Sequence, residues 1–104
     1  MVNRIVWLPM SQRHLKRIYK FISKKSEQAA INTHNKLLDA TESLPQFPQM
    51  APIEPLLEDC DKAYRALVVD KYKILYYFEN NTIYIAAVWD CRQNTKRLKK
   101  LFNH

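Results

Sequence analysis

The chain has 104 residues, a formal net charge of +7 and no glycine. This length suits one modest hydrophobic core, so residues 1–104 are predicted to form a single domain. The absence of glycine excludes glycine-rich phosphate loops and dinucleotide-binding fingerprints, which need glycine for close backbone approach. The longest apolar run, residues 83–89, is far shorter than the ~20 residues that span a bilayer.

The cysteines and histidines suggest neither a redox centre nor a metal site. Cys60 and Cys91 are far apart and outside any CxxC motif, which is typical of a reduced, cytoplasmic chain with structural thiols. His14, His34 and His104 lack ligand-like spacing. We therefore expect no metal and no cofactor, and we interpret His34, on the apolar face of a predicted helix, as a packed core histidine.

The first half of the chain predicts a strand followed by a helical hairpin. Residues 5–8 form a short apolar run, and Pro9 stops strand pairing and suits the first turn of a helix. Over residues 11–24, apolar side chains recur on one helical face opposite lysines and arginines. Ser26 is a suitable N-cap for a second helix. Pro45 is predicted to end that helix, because the residue before proline avoids the helical region.

The second half predicts a three-stranded meander and a short helix. Residues 45–61 form an acidic, proline-bearing connector whose apolar residues should pack on the domain. Strands are predicted over residues 64–69, 72–79 and 82–89, joined by the links Asp70-Lys71 and Asn80-Asn81. Residues 98–102 look like a short basic helix. The order β-α-α-β-β-β-α predicts an α+β domain, with an antiparallel helical hairpin packed on a mostly antiparallel sheet.

Strand alternation assigns side chains to the two faces of this sheet if both links have two residues. The face predicted to meet the helices then carries Tyr72, Ile74, Tyr76, Phe78, Ile83, Ile85, Ala87 and Trp89. The other face carries Lys73, Leu75, Tyr77, Tyr84, Ala86 and Val88. Arg65 and Lys73 then point to opposite faces. A three-residue link at residues 69–71 would place them on the same face, and the sequence leaves both registers open.

The positive charge is concentrated in two segments. Residues 13–25 hold six cations and no acid, and the segment after Asp90 is also basic, with Arg92, Lys96 and Arg97 among its cations. Such a field favours a polyanionic or acidic partner, although a solvated helix face would have the same composition. Lys73, Tyr77 and Tyr84, flanked by Arg92, could hold phosphates and stack on bases. The alternative is a tyrosine-rich surface covered by the connector or by a partner.

The ordered set of elements resembles the RelE/ParE superfamily, the toxins of bacterial type II toxin–antitoxin (plasmid stabilisation) modules. The resemblance rests on the hairpin, the proline-bearing connector, the strand that begins Tyr64-Arg65, the Tyr-Lys-Ile-Leu-Tyr strand at residues 72–76, and the arginine after the last strand, Arg92. It implies the RelE/ParE-like fold and a cognate antitoxin as partner. It marks Arg65, Lys73 and Arg92 as catalytic or anion-binding positions. Tyr77 and Tyr84 from the sheet face, and Lys96 and Arg97 from the basic segment after Asp90, are further binding candidates.

The superfamily divides by mechanism. RelE-like members cut mRNA on the ribosome, and they often have a histidine two residues before the final arginine and a tyrosine near the C-terminus. Here Asp90 and Leu98 stand near those positions, and an aspartate of ordinary pKa is a poor base towards a hydroxyl group. The resemblance therefore favours the ParE-like branch, whose members are associated with binding DNA gyrase and have no hydrolytic site. A ribosome-dependent endoribonuclease, a non-toxic basic scaffold and a homo-oligomer stay open.

Overall fold

The computed structural model describes residues 4–102, so His104 lies outside the described residues. The four strands are β1 (Arg4–Trp7), β2 (Arg65–Val69), β3 (Tyr72–Glu79) and β4 (Thr82–Asp90). The helices are α1 (Pro9–Ser23), α2 (Glu27–Ala40) and α3 (Thr95–Phe102), with a 3₁₀ turn at Pro55–Leu57. The predicted α+β class and element order are confirmed. Within residues 4–102, no helix is long and apolar enough to cross a membrane.

The helical hairpin forms as predicted, but α2 is shorter than expected. The Ser26 side chain accepts a hydrogen bond from the Ala29 N–H, so it is the N-cap of α2. The helix ends at Ala40, whereas the position of Pro45 predicted an end near residue 44. The Thr41 hydroxyl donates to the Leu38 carbonyl, and tight turns follow over residues 41–46. These turns carry Leu44 into the core, where it is fully buried.

The sheet has the order β1-β4-β3-β2, with β1 parallel to β4 and the other pairs antiparallel. Val69 pairs with Tyr72, so the first link has two residues. Both links use left-handed backbone without glycine, with φ values of 54° at Asp70, 51° at Asn80 and 59° at Asn81. Aspartate and asparagine tolerate this conformation better than most residues, which explains how a glycine-free chain makes tight hairpins.

A β-bulge corrects the predicted assignment of residues to the faces of β4. Leu75 pairs with Ala87 and Tyr76 with Ile85, so Ala86 is an extra residue on β4. Alternation shifts by one residue beyond it. Val88 therefore packs in the core under α1 and α2, whereas Ala87 and Trp89 lie in the core on the opposite face. The sequence had predicted the reverse for these three residues, because uninterrupted alternation was assumed.

Both faces of the sheet are covered. The hairpin of α1 and α2 packs on one face over a core that includes Leu15, Leu37 and Ile74. On the other face, α3 and the 3₁₀ turn contribute Leu98 and Leu57 to a second core. Leu98, which lies close to the position where the resemblance would place a nuclease tyrosine, is only 1% exposed. It therefore anchors α3 to the sheet.

Candidate anion-binding groove

Arg65 is held by the connector. Its Nη1 donates to the Ala51 carbonyl oxygen at 2.7 Å. Two backbone contacts hold the connector against this strand. Ile53 forms an isolated antiparallel β-bridge with Arg65, and the Ala66 N–H donates to the Pro52 carbonyl. Arg65 pairs with Tyr76, on the side of the sheet that faces α1 and α2. Its guanidinium thus contributes to fixing the connector in place.

Lys73 lies on the opposite face, as the two-residue link predicts. Its Nζ lies 2.6 Å from the Oε1 atom of Glu54. The Glu54 side chain is 2% exposed, and its other oxygen accepts from the Leu56 N–H at the start of the 3₁₀ turn. A buried carboxylate needs both a counter-charge and hydrogen bonds. Lys73 supplies that counter-charge, so Arg65 and Lys73 do not converge on one site.

Arg92 forms a bidentate ion pair with Asp90 at the end of β4. Its Nε and Nη2 atoms lie 3.0 and 2.7 Å from Oδ1 and Oδ2 of the carboxylate, and its backbone N–H donates to Oδ1 at 2.9 Å. The side-chain hydrogen bond from Arg92 is the main cause that lowers the pKa of Asp90. Asp90 is therefore a weaker base than an ordinary aspartate.

The two tyrosines predicted to stack on bases belong to an aromatic cluster. Tyr77 and Tyr84 stack on each other, with ring centroids 5.0 Å apart and an interplanar angle of 22°. Tyr64 meets Tyr77 edge-on at 5.5 Å, and the Lys62 ammonium lies 5.2 Å from the centroid of the same ring. Burial raises the pKa of Tyr64 to about 12. Tyr77 thus has several intramolecular partners, which fits the alternative of a covered surface better than a free stacking platform.

A groove of about 320 Å³ opens where the sheet loses its outer strand. β1 pairs with β4 only as far as Trp7 and Ile85, so the last residues of β4 form an edge between α1 and α3. Three arginines from three elements line this groove: Arg17 from α1, Arg92 after β4 and Arg97 from α3. Among residues 4–102, Arg17 and Arg97 form no ion pair, so their guanidinium groups are available to an anion.

Besides the arginines, the groove is lined by polar or titratable side chains, His14, Tyr72, Asp90 and Gln93, and by apolar ones, Ile18, Phe21, Val88, Trp89 and Leu101. Lys96 is exposed on α3 but does not line it. Of the residues predicted for the site, the structure therefore brings only Arg92 and Arg97 to this groove. Arg17 was recognised only as part of a basic helix face. Pro9 signals the end of the first strand, but the sequence does not show that this strand pairs with β4 and leaves the end of β4 open.

His14 caps the open edge of β4. The Val88 N–H, which has no strand partner at this point, donates to the Nδ1 atom of His14 at 3.1 Å. Because Nδ1 accepts this bond, the neutral imidazole carries its proton on Nε2. Burial is the main cause that lowers the pKa of His14, and the nearby charges of Arg17 and Arg13 act in the same direction. At pH 7, His14 is therefore neutral. It accepts a hydrogen bond at Nδ1 and can donate one from Nε2–H.

The titratable groups of the groove are not tuned for proton transfer. An efficient general acid or base has a pKa near the working pH. The pKa values of His14 and Asp90 are lowered, and burial raises the pKa of Tyr72, which also lines the groove. Each of the three shifts moves the pKa of the group further from pH 7. The groove can therefore bind an anion through arginines, but it lacks an evident acid–base pair.

Metal coordination has no support in this part of the chain. Within residues 4–102, no group of three or more histidine, cysteine or carboxylate side chains is arranged to hold a metal ion. Neither Cys60 nor Cys91 forms a disulfide bond.

Comparison with known proteins identifies the family. A family model described as the ParE toxin of the type II toxin–antitoxin system parDE matches residues 5–95. Among solved structures, a chain of the chromosomal ParDE toxin–antitoxin system from P. aeruginosa is similar in fold, with a TM-score of 0.69 and 13% sequence identity. The match covers 84% of this chain and 94% of that chain. A search of curated proteins gives no match. The chain belongs to the ParE family of toxins of type II toxin–antitoxin systems.

Proposed function

We propose that this toxin arrests growth by binding an essential target, with DNA gyrase as the first candidate, and that it does not cleave RNA. The observation that carries the proposal is the protonation chemistry of the groove. RNA cleavage needs a group that activates the 2′-hydroxyl and a group that protonates the leaving oxygen. Asp90 is engaged by Arg92, and Nδ1 of His14 is occupied by the Val88 N–H.

The distribution of the predicted catalytic cations supports the same proposal. A phosphoryl-transfer site concentrates positive charge where negative charge develops in the transition state. Here Arg65 and Lys73 lie on opposite faces of the sheet and serve the Ala51 carbonyl and the Glu54 carboxylate. Cations arranged in this way stabilise the fold, and they leave the groove arginines to bind a partner.

We further propose that a cognate antitoxin neutralises the toxin. The family to which the chain belongs works as one half of a toxin–antitoxin pair. The net charge of +7 favours an acidic partner. We expect the toxin, its antitoxin and its target to meet in the cytoplasm.

The decisive experiment separates the target classes in one strain. Inducing the chain alone should stop growth, and co-expressing the neighbouring gene should restore it. During arrest, a reporter plasmid should lose negative supercoils while transcripts stay intact. With purified components, the toxin should inhibit DNA supercoiling by gyrase and should leave ribosome-bound mRNA uncut.

Three outcomes would contradict this proposal. Ribosome-dependent cuts in mRNA with unchanged plasmid topology would establish an endoribonuclease. Growth arrest with both supercoiling and transcripts intact would exclude gyrase as the target. Unaffected growth at verified expression would leave a non-toxic scaffold.

A further inference from the structure

The outer face of α1 and the groove beside it form one continuous basic surface. A second depression, of about 430 Å³, lies on α1 and is lined by Arg13, Lys16, Arg17, Lys20, Phe21 and Lys24. It shares Arg17 and Phe21 with the groove that Arg92 and Arg97 line. We call these two depressions together the α1–α3 surface. From residue 13 to residue 24, α1 alone extends about 16 Å at the helical rise per residue.

Among residues 4–102, the cations of this surface other than Arg92 form no ion pair. Among residues 4–102, the ion pairs involve Lys36, Lys62, Lys73 and Arg92, and none involves a cation of α1. The one carboxylate that lines the surface is Asp90, which Arg92 engages with both oxygens. The sequence has no acid between Pro9 and Ser26 or after Asp90. Apart from Arg92, the cations of the α1–α3 surface therefore present uncompensated positive charge.

An exposed aromatic ring lies among these cations. Phe21 is 67% exposed, and it stands on the same helical face as Arg17 and Lys24, at spacings of four and three residues. A phenylalanine ring that is exposed to water contributes little free energy to the fold. The same ring can stack on a nucleic-acid base. A row of cations that also carries an aromatic ring is the usual composition of a surface for single-stranded nucleic acid.

We propose that the α1–α3 surface binds the phosphodiester backbone of single-stranded nucleic acid, with Phe21 stacking on one base. Arginine forks fit phosphate oxygens, and the Nε2–H group of neutral His14 adds a donor in the groove. The basic stretch of α1, about 16 Å long, is long enough to contact more than one phosphate of a single strand. This binding activity is separate from inhibition of a target, and it is measured on the purified toxin alone.

Fluorescence anisotropy with a labelled oligothymidine of about 15 nucleotides tests this proposal. The logarithm of the affinity should fall linearly with the logarithm of salt concentration, with a slope of about −3 if roughly four phosphates are neutralised. The variant Arg17→Ala/Arg97→Ala should bind about tenfold more weakly. The control is Lys36→Ala on α2, which removes one exposed cation that is paired with Asp70. This variant should change the affinity less than twofold.

Two exposed phenylalanines provide a second matched pair. Phe21→Ala should weaken binding about tenfold through loss of stacking. Phe47→Ala removes a ring that is 56% exposed on the connector, outside the α1–α3 surface, and it should bind as the wild type does. Circular dichroism spectra of all variants check that each one folds.

Several results would overturn the proposal. Equal losses in Arg17→Ala/Arg97→Ala and in a control with two exposed charges removed elsewhere would show attraction by net charge only. An unchanged affinity of Phe21→Ala, with a duplex bound as tightly as the single strand, would exclude base stacking. Equally tight binding of an acidic peptide of matched length and charge would assign the surface to a protein partner.

Discussion

Cations occur in two regions of this toxin, the sheet with its connector and the α1–α3 surface, and their surroundings differ. In the first region, Arg65 and Lys73 contact a carbonyl and a buried carboxylate. In the second, Arg17 and Arg97 have no ion pair among residues 4–102. A cation at a position marked by the family resemblance can therefore be structural, while a cation on a helix face remains available for binding. Substitutions in the two regions should therefore change different quantities.

The largest loss of stability is expected for Lys73→Met. This change leaves the carboxylate of Glu54, which is 2% exposed, without its counter-charge. Removing one partner of a buried ion pair is strongly destabilising, so the free energy of unfolding should fall by about 3 kcal/mol. Urea denaturation measures it. In Lys73→Met/Glu54→Gln the charge to be compensated is gone, and much of the stability should return.

Lys36→Met is the control for this change, because its ion pair with Asp70 is solvent-exposed on both sides. It should shift the denaturation midpoint far less. A Lys73→Met variant with wild-type stability and abolished toxicity would show that Lys73 contacts the target and is not a structural cation.

Arg65→Met should have the second largest effect. It removes the hydrogen bond from a charged donor to the Ala51 carbonyl, at a cost of about 2 kcal/mol. Because the connector carries this carbonyl, proteolysis within residues 45–61 should also become faster. The same substitution at Arg97, which has no ion pair within the described residues, controls for loss of positive charge. Loss of target inhibition in Arg65→Met at full stability would contradict a structural role.

His14 lies between the two regions, since it lines the groove and also completes the sheet edge. His14→Phe keeps an aromatic ring but leaves the Val88 N–H without its acceptor, which should cost about 1 kcal/mol. The pKa of His14 is lowered in the folded state, so the unfolded chain binds the proton more tightly. Stability should therefore fall as the pH drops below about 6.5, down to the lowered pKa.

The readout is the urea midpoint of wild type and of His14→Phe between pH 7 and pH 5. The variant should lack the part of the pH dependence that His14 contributes. If the two profiles run parallel across this window, His14 is not held neutral by the groove.

Arg92 should show a smaller effect that depends on acid pH. Its ion pair lowers the pKa of Asp90 in the folded protein. The stabilisation is therefore present above the unfolded pKa of about 4 and is lost as the pH falls through the lowered pKa. Arg92→Ala should be less stable than wild type at pH 7, and the difference should vanish near pH 2. A difference that persists in acid would mean that Arg92 acts through packing instead of through Asp90.

The sequence predicted those features that local residue preferences determine. The bounds of β3 and the Ser26 cap follow from strand composition and capping. The sequence predicted a tight link at Asp70-Lys71 but left its register open, and the pairing of Val69 with Tyr72 shows a two-residue link. The bulge at Ala86 was missed, because alanine carries no bulge signal and the effect depends on packing against two layers. The early end of α2 was missed because proline gives only an outer limit for a helix.

The candidate site was less predictable, because its contacts join distant parts of the chain. Glu54 and Lys73 are 19 residues apart, and His14 and Val88 are 74 residues apart. Residue type alone does not reveal whether a cation has such a partner. The three positions marked by resemblance, Arg65, Lys73 and Arg92, all have partners within the fold. Arg17, which the sequence shows only as part of a basic helix face, joins the groove through the three-dimensional arrangement.

The smallest change in stability is expected for the variant Arg17→Ala/Arg97→Ala, which should unfold within about 0.5 kcal/mol of wild type per substitution. Neither side chain forms an ion pair within the described residues, and alanine is a better helix former than arginine. If the two regions differ in this way, this variant combines wild-type urea denaturation with weakened oligonucleotide binding. Lys73→Met should instead lose stability and keep its oligonucleotide binding. A double variant that unfolds as easily as Lys73→Met would show that the α1–α3 surface, too, is built to hold the fold together.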